Sequence, residues 1–283
     1  MRSAEPAYDA AALWDIATPS RLLRLPGVSM AGFRARTRNL VELSVVPYPA
    51  VTLFLDFGDA VLIDDGGGLR QQGSVVAGLV PGALVRGRGR DIECMQVRLS
   101  PVVAHATLGA CCELDGTVVS LEDLWGRDAT RIQERLRAAA SWDERFAIAE
   151  AVFARRCSAG RAVDPEVGFA WRQMVNDLGG VRVERLADET GWSRKRLWSR
   201  FRSQIGLTPK RAAQLIRFDH AAHRLAAGHS AALVAAESGY ADQSHMHRDV
   251  MAFTGVTPSA VASAPWLAVD PVAWAAPEYL SRT

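Results

Sequence analysis

Short apolar stretches dominate the chain between Val28 and about Arg98. They read LVELSVV, AVTLFLDF, AVLIDD, SVVAGLV, ALVRGRG and IECMQVRL. Glycine, proline and aspartate separate them, most densely in DDGGG at residues 64–68. Several short strands at this spacing are typical of a β-sandwich or a β-barrel. The pattern therefore predicts an all-β region in the first third of the chain.

The periodicity changes after Pro101, where apolar residues recur at helical spacing. One stripe consists of Trp125, Ile132 and Leu136. A second stripe follows at i, i+4, i+7 and i+11 and consists of Trp142, Phe146, Ala149 and Phe153. These stripes predict two antiparallel helices, the second capped by Ser141. They either close the core of the β region or form a surface through which two copies dimerise.

A small, polar segment that closes with proline, CSAGRAVDP at residues 157–165, is the predicted linker between two domains. After it the pattern is helical as far as Ala262. The remaining SAPWLAVDPVAWAAPEYLSRT has no clear period and predicts an irregular extension, with packing of Trp266 and Trp274 on a domain as the alternative. The predicted organisation is residues 1–163, residues 164–262 and a tail at residues 263–283.

An internal repeat occupies the helical part. LADETGWSRKRLWSRFRSQIGLTP (residues 186–209) aligns with VAAESGYADQSHMHRDVMAFTGVTP (residues 234–258), with one extra residue in the second copy. Each copy predicts a short helix, a turn at Gly191 or Gly239 where glycine accepts a positive φ, and a longer helix. This is the helix-turn-helix pattern. The segment from Pro209 to Gly228 predicts one helix connecting the copies.

The longer helix of each copy has a predicted buried stripe. Leu197 and Phe201 form it in the first copy, and Met246 with Val250 forms it in the second. Ser193 is the predicted cap of the first long helix. The polar residues between the apolar ones are then directed outward.

The segment from Leu186 to Ala262 resembles the C-terminal DNA-binding domain of the AraC/XylS-type transcription regulators. In the second copy the match lies in Gly239-Tyr240-Ala241-Asp242-Gln243-Ser244-His245 and Gly255-Val256-Thr257-Pro258. In the first copy it lies in Leu186, Ala187, Gly191, Ser193, Leu197, Phe201 and Gly206. The family usually has Phe-Lys after the arginine, with a further apolar residue. At this place the present chain has Val250-Met251, preceded by Asp249. A phosphate contact is lost there, and Asp249 would repel DNA if it faced it.

The resemblance implies an α+β protein. Its N-terminal half would be a cupin-like β-barrel with a helical dimerisation segment, and its C-terminal part an all-α double helix-turn-helix domain. It implies an effector-responsive, sequence-specific transcription regulator that inserts two recognition helices into adjacent major-groove segments. The implied partners are double-stranded operator DNA, a small-molecule effector in the N-terminal domain, a second copy of the chain, and RNA polymerase if the protein is an activator.

The exposed faces of the two longer helices supply the candidate DNA-contacting residues. On the first helix they are Arg194, Lys195, Trp198, Ser199, Arg200 and Arg202. On the second helix they are Gln243, Ser244, His245, His247 and Arg248. Arginine and lysine suit phosphate and the guanine edge, and glutamine suits adenine. A solvated polar side chain is the alternative for any one of them.

Charge divides the two copies, although the whole chain carries only +2. Residues 182–217 hold ten basic and three acidic residues, a net +7, whereas residues 218–262 hold two basic and four acidic residues, a net −2. Salt-dependent DNA affinity scales with the number of phosphates neutralised. The first unit is therefore the predicted anchor, and the second is predicted to discriminate between sequences.

The sequence predicts no catalytic residue, cofactor or metal site. His105 is the only histidine before residue 164, which is too few for a metal-binding cupin. No nucleophile elbow, P-loop or dinucleotide fingerprint is present. His220 and His223 lie three residues apart without a third ligand nearby in sequence, so packing or solvent exposure is expected. Two alternatives to an effector-responsive regulator remain. They are a metal-free cupin-like enzyme with a DNA-binding appendage and a constitutive dimeric DNA binder without an effector.

The expected compartment is the cytoplasm, without a membrane partner. The N-terminus lacks an apolar signal segment, and the longest apolar run, residues 75–85, is too short to span a bilayer. Cys94, Cys111, Cys112 and Cys157 show no C-x-x-C spacing and predict no disulfide framework. A thiol sensor at the adjacent Cys111 and Cys112 is the alternative to buried structural cysteines.

Overall fold

The computed structural model describes residues 13–45, 47–58, 61–64, 70–79, 85–109, 114, 116–262, 267 and 269–274. The strands in these ranges are β1 (Trp14–Ala17), β2 (Val28–Ala35), β3 (Val41–Val45), β4 (Val51–Asp56), β5 (Val61–Asp64), β6 (Arg70–Gln72), β7 (Val75–Ala77), β8 (Val85–Gly89), β9 (Glu93–Leu99) and β10 (Val118–Ser120). The helices are α1 (Pro101–Leu108), α2 (Leu121–Trp125), α3 (Arg127–Ala138), α4 (Trp142–Ala159), α5 (Pro165–Asn176), α6 (Val183–Thr190), α7 (Arg194–Ile205), α8 (Pro209–Ala226), α9 (Ala231–Glu237), α10 (Gln243–Thr254), α11 (Pro258–Ala262) and α12 (Asp270–Ala273).

The strands form two antiparallel sheets in the N-terminal half. The six-stranded sheet has the order β1-β2-β9-β4-β7-β10, and the four-stranded sheet has the order β3-β8-β5-β6. At the centre of the larger sheet β4 pairs with β9, with Leu53 opposite Val97. All six residues of β4 are buried, as expected of an apolar strand covered on both faces. The predicted β region is confirmed, and closure into a cupin-like barrel stays a prediction.

The β region extends beyond its predicted limits. β1 precedes Val28, and β10 follows α1 and pairs with β7. β10 has only three residues, so its period could not be recognised in the sequence. Residues 65–69, which include most of the DDGGG turn, lie outside the described residues.

The first predicted helix after the sheets is broken in two. α2 ends at Trp125 and α3 begins at Arg127, because Gly126 adopts φ 55° and ψ −137°, which no helix contains. The second predicted helix is confirmed as α4, and the Ser141 hydroxyl caps it by accepting a hydrogen bond from the Glu144 amide.

Both apolar stripes pack mainly within the chain. Ile132, Leu136, Phe146 and Phe153 are buried in the same core cluster as the larger sheet. The half-buried Trp142 lies against Gly32 of β2, where a Cβ atom would meet its ring at 2.4 Å. The stripes therefore close the core, and the surface they were expected to offer for dimerisation is largely occupied by the chain itself.

The predicted linker is shorter than expected. α4 continues through Cys157 to Ala159, and α5 begins at Pro165. The connection between them is packed, since a Cβ atom on Gly160 would lie 1.8 Å from the Ala106 carbonyl oxygen of α1. The same core cluster continues from Leu53 in the sheet through Phe153 to Phe201 in α7. The division at residues 163 and 164 stays a prediction.

The tail is not simply irregular. Residues 269–274 pack against the edge strand β1, and Trp274 is buried with Trp14 and Phe33. The alternative that Trp274 packs back on a domain is therefore the correct one. Trp266 lies outside the described residues, as do Cys111 and Cys112.

Candidate DNA-binding interface

Two helix-turn-helix units with the same backbone plan flank α8. The first is α6 and α7, and the second is α9 and α10. Their turns use Gly191 at φ 66° and Gly239 at φ 71°. A left-handed conformation costs an L-residue roughly 1–2 kcal/mol. No described heavy atom outside the local chain lies within 4 Å of a Cβ built on either glycine. Glycine is therefore required at these two turns because of the positive φ, as predicted from the repeat, and not because of crowding by neighbouring atoms.

The longer helix of each unit is capped at its first turn. The Ser193 hydroxyl accepts a hydrogen bond from the Arg196 amide at 3.2 Å, which confirms the predicted cap. Asp242 Oδ1 accepts one from the His245 amide at 2.6 Å. Both helices end at a left-handed glycine, Gly206 or Gly255. These local interactions fix where each helix begins and ends.

The predicted buried stripes are confirmed. Leu197 and Phe201 on α7, and Met246 and Val250 on α10, are fully buried. Because 3.6 residues make one turn, the exposed Ser199 and Arg248, two positions along from Leu197 and Met246, lie opposite these stripes.

The outward face of α7 is basic and carries an aromatic side chain. Its exposed members are Arg194, Lys195, Trp198, Ser199 and Arg202. The Trp198 side chain is 44% exposed, and the Arg202 guanidinium lies 5.3 Å from the centre of its ring. Arg194 reaches Glu184 of α6 at 3.3 Å, an exposed pair that contributes little to stability.

Arg200, a candidate DNA contact, forms a two-point ion pair. Its Nε donates to Asp164 Oδ2 at 2.7 Å, and its Nη2 donates to Asp164 Oδ1 at 2.9 Å. The backbone amide of Asp164 also donates to Gln204 Oε1 of α7 at 2.8 Å. The hydrogen bond from Arg200 holds the pKa of the Asp164 carboxyl below its usual range. These contacts fasten α7 to the start of α5, and the sequence contains no signal for them because 36 residues separate the partners.

The outward face of α10 is polar and nearly neutral. Its members are Gln243, Ser244, His247 and Arg248, which are exposed, and His245, which is half-buried. The His245 ring packs edge-on against Tyr240 at 5.2 Å, so part of it is held by the preceding turn. Arg248 folds back toward the Ser244 carbonyl oxygen, with its Nε at 3.4 Å.

Asp249, the departure from the family pattern, faces inward. It is 8% exposed, and it lies close enough to Tyr240 to raise the pKa of that phenol, after the larger effect of burial. An inward carboxylate does not lie on the predicted DNA face. The anticipated repulsion between Asp249 and DNA therefore has no structural basis.

The histidine pair on α8 separates into two environments. His220 is half-buried, and burial is the main cause that lowers its pKa. His223 contacts Asp219 and, unexpectedly, Asp270 from the tail. Among the described residues, no group of three or more His, Cys, Asp or Glu side chains is placed to hold a metal ion. No described helix is both long and apolar enough to cross a membrane.

Comparison with known proteins agrees with this geometry. Residues 186–264 match the model of a helix-turn-helix domain family. No curated protein sequence matches the chain significantly.

Several solved structures are similar over much of the chain. ToxT from Vibrio cholerae O395 is 12% identical with a TM-score of 0.46, over 85% of this chain and 98% of ToxT. ToxT of strain SCE256 with a bound unsaturated fatty acid is 12% identical with a TM-score of 0.44, over 84% and 95%. The C-terminal domain of AraT, a response regulator from Geobacillus stearothermophilus, is 19% identical with a TM-score of 0.34, over 35% and 85%.

Both copies of the internal repeat, residues 186–209 and 234–258, lie within the region that matches the family model. Two capped helices of equal length, each preceded by a short helix and a left-handed glycine, occupy the matched region. The chain therefore carries a domain of the helix-turn-helix family at residues 186–264, with α6–α7 and α9–α10 as its two units.

Proposed function

We propose that α7 and α10 enter successive major-groove segments on one face of double-stranded DNA and read its sequence. The main support is that α7 and α10 have the same geometry. Each helix is capped at its start, ends at a left-handed glycine and is buried along one stripe, and α8 lies between the two units. A helix-turn-helix unit presents the N-terminal residues of its second helix to base edges. Two such units joined by one helix fit two adjacent half-sites.

The candidate residues divide into anchoring and discriminating contacts. Arg194, Lys195 and Arg202 on α7 are exposed and suit phosphate or guanine. On α10, Gln243 suits adenine and Arg248 suits guanine, with Ser244, His245 and His247 beside them. Trp198 and Ser199 complete the α7 face. Arg200 acts on DNA indirectly, by holding α7 against α5.

The N-terminal half is proposed to sense a small-molecule effector. Support comes from its packing, since α1 of this half contacts α7 directly and the two halves share one core cluster. A ligand that moved α1 would displace the end of a recognition helix. The same continuous core also fits a constitutive DNA binder. A ligand-induced shift in melting temperature would favour the sensor over the constitutive binder.

The remaining partners belong to the same proposal. A homodimer would have to form largely through a surface other than the two buried stripes, and sedimentation of the full chain tests it. RNA polymerase is a partner if the protein activates transcription, and the cytoplasm is the compartment where it would act. The alternative of a metal-free cupin-like enzyme would need a polar catalytic set in the N-terminal half, and the sequence predicts none.

Selection of binding sites from a random pool of duplex DNA tests the central claim. We expect two conserved blocks about one helical turn apart, roughly 10–10.5 base pairs between centres. The variant Gln243→Ala should relax the block contacted by α10 and leave the other block intact. Recovery of one block only, or of none with the wild-type chain, would refute two-site recognition.

A further inference from the structure

The tail segment, residues 269–274, bridges the sheet and the DNA-binding half through a buried carboxylate. Asp270 at the start of α12 is 4% exposed, and Trp274 at its end is 8% exposed. The segment lies against β1, while the Asp270 side chain reaches both β9 and α8. The contacts join a strand, a helix and a segment that are distant in sequence.

Arg98 of β9 binds one oxygen of this carboxylate. Its Nη2 donates to Asp270 Oδ1 at 3.1 Å, and the two side chains are 3% and 4% exposed. Aromatic rings cover the guanidinium, with the centre of the Tyr48 ring at 3.7 Å and that of Trp274 at 4.1 Å. Cation–π contacts of this kind are strongest where water is excluded.

The second oxygen of Asp270 binds the connector helix. The Tyr48 hydroxyl donates to Asp270 Oδ2 at 2.7 Å, and His223 Nε2 of α8 lies 2.9 Å from the same oxygen. The other ring nitrogen of His223 lies 2.8 Å from the Asp219 carbonyl oxygen. When His223 is protonated, both nitrogens donate, and the carboxylate has a cation on each side.

Joining these elements through buried charged groups carries a desolvation cost. Burying an ion costs on the order of several kcal/mol, and an apolar side chain would fill the same space at less cost. A charged junction differs from an apolar one because the loss of one charge leaves the opposite charge buried and unpaired. Its strength therefore depends on the protonation of His223, which an apolar contact would not.

The junction at Asp270 holds α8, and α8 lies between the two helix-turn-helix units. α8 contacts α7, α9, α10 and α11, and so it supports both helix-turn-helix units. The contacts that hold His223 of α8 against the sheet therefore also hold the helix that supports both recognition helices against the N-terminal half.

We propose that the tail segment is an interdomain latch, in which Asp270 is a positioning residue that fixes α8 against the six-stranded sheet. Its bearing on operator binding rests on the proposed function, whereas the latch itself does not.

The charges around His223 set the pH range of the latch. Asp219 on α8 and Asp270 on the tail segment act on it directly, His220 on α8 is coupled to it, and the Tyr48 ring lies 6.4 Å from its own. One step further away, Arg98 on β9 acts on both carboxylates, and Arg224 on α8 and Glu237 on α9 act on His220. Burial alone would lower the pKa of His223, but Asp219 and Asp270 outweigh it and raise the pKa to about 9. Burial opposes ionisation of Asp270, yet Arg98 and His223 lower its pKa.

The sign of the effect follows from linkage. A histidine whose folded pKa exceeds its unfolded pKa stabilises the fold fully below the unfolded value of about 6.5 and loses this contribution as pH rises through the folded value. The latch is thus closed near neutral pH and weakens as pH rises through about 9. Asp219 acts in the same direction over a lower pH range, because burial raises its pKa to about 6 and its stabilising, protonated form is lost as pH rises through that value.

The test compares the full chain with Asp270→Asn and with His229→Gln, by small-angle scattering and by melting temperature from pH 7 to 10. His229→Gln is the matched control, since His229 is exposed just beyond α8 and its ring lies 3.1 Å from the Arg224 carbonyl oxygen. We expect the wild type and the control to expand, and their melting temperatures to fall, as pH approaches 10. Asp270→Asn should be expanded already at pH 7, and its melting temperature should lose that dependence on pH.

If Asp270→Asn does not fold, His223→Gln, at a half-exposed position, provides the same comparison. A variant with wild-type dimensions at pH 7 and a wild-type pH profile would overturn the latch. DNA binding of the unmodified chain is measured separately. Failure to bind any selected DNA would refute the proposed function, while the scattering result would still decide the latch.

Discussion

The two helix-turn-helix units share one backbone plan and lie in different surroundings. α7 is packed among α1, α5, α6 and α8, and the Arg200–Asp164 pair fastens it to the start of α5. α10 contacts α8, α9 and α11, all within the C-terminal part of the chain. The charges differ as well, because residues 182–217 carry +7 and residues 218–262 carry −2.

This difference shows that a repeated local structure does not imply a repeated role. The turn and the caps come from a few short-range interactions that both copies retain. The contribution of each unit to DNA binding depends on its charge and on how rigidly its neighbours hold it. We therefore expect the first unit to provide most of the affinity and the second to provide most of the discrimination.

The largest expected effects come from the buried stripes. Leu197→Ala and Met246→Ala remove equivalent, fully buried side chains from α7 and α10. Each should lower the free energy of unfolding by about 2–5 kcal/mol in chemical denaturation. Leu197→Ala should cost more, since α7 has neighbours on more sides and can relax less. At low salt, Met246→Ala should also keep more affinity for random DNA.

Lys195→Ala, an exposed substitution, is the control for stability in this experiment. Equal losses of random-DNA affinity in the two core variants would remove the distinction between an anchoring unit and a discriminating unit.

The next comparison separates affinity from specificity. Each phosphate contact contributes about 0.9 to the slope of log affinity against log salt, so Lys195→Ala should flatten that slope by about this amount on specific and random DNA alike. Gln243→Ala removes an uncharged contact and should narrow the gap between the two DNAs by about 1–3 kcal/mol. Titration over a salt series measures both. An equal loss on both DNAs for Gln243→Ala, with an unchanged slope for Lys195→Ala, would reverse the assignment.

The turns should respond identically in the two units. Gly191→Ala and Gly239→Ala each force alanine into a left-handed conformation and should each cost about 1–2 kcal/mol of unfolding free energy. Gly168→Ala is the matched control, because its Cβ would make only ordinary contacts at 3.6 Å inside α5, where alanine is the better helix former. Thermal unfolding of the three variants measures the effect. A cost confined to one turn would mean that packing, and not backbone conformation, selects these glycines.

The smallest effect concerns the ion pair of Arg200. Asp164→Asn should lower the free energy of unfolding by about 1 kcal/mol at neutral pH, as expected for a partly exposed, two-point pair. Because Arg200 lowers the pKa of Asp164, the stabilisation is present above the usual carboxyl pKa and is lost as pH falls through the folded value. Stability curves between pH 7 and pH 2 should therefore converge for variant and wild type.

Glu237→Gln is the corresponding change near the second unit, where it breaks the pair with Arg224. It should change stability no more than Asp164→Asn does, and it should leave DNA binding unaltered. A gain in random-DNA affinity for Asp164→Asn would indicate that the released Arg200 contacts phosphate after all.

Much of the DNA-binding half could be predicted from the sequence. The glycines at positions 191 and 239, the cap at Ser193 and the buried stripes follow from interactions within one or two turns. The break at Gly126 was missed, because the residues on either side keep helical spacing across it. The edge strands β1 and β10 were missed because three or four residues are too few to establish a period.

The sequence alone determined the two helix-turn-helix units, their outward faces and the unequal charge between them, since each depends on near neighbours or on simple counts. Only the tertiary structure decided which polar residues turn inward or pair with a side chain distant in sequence. Arg200 meets Asp164, Asp249 lies beside Tyr240, and Asp270 reaches Arg98 across 172 positions of sequence. A polar side chain satisfies its hydrogen bonds with whatever the fold brings near it, and helical periodicity does not reveal which elements will meet.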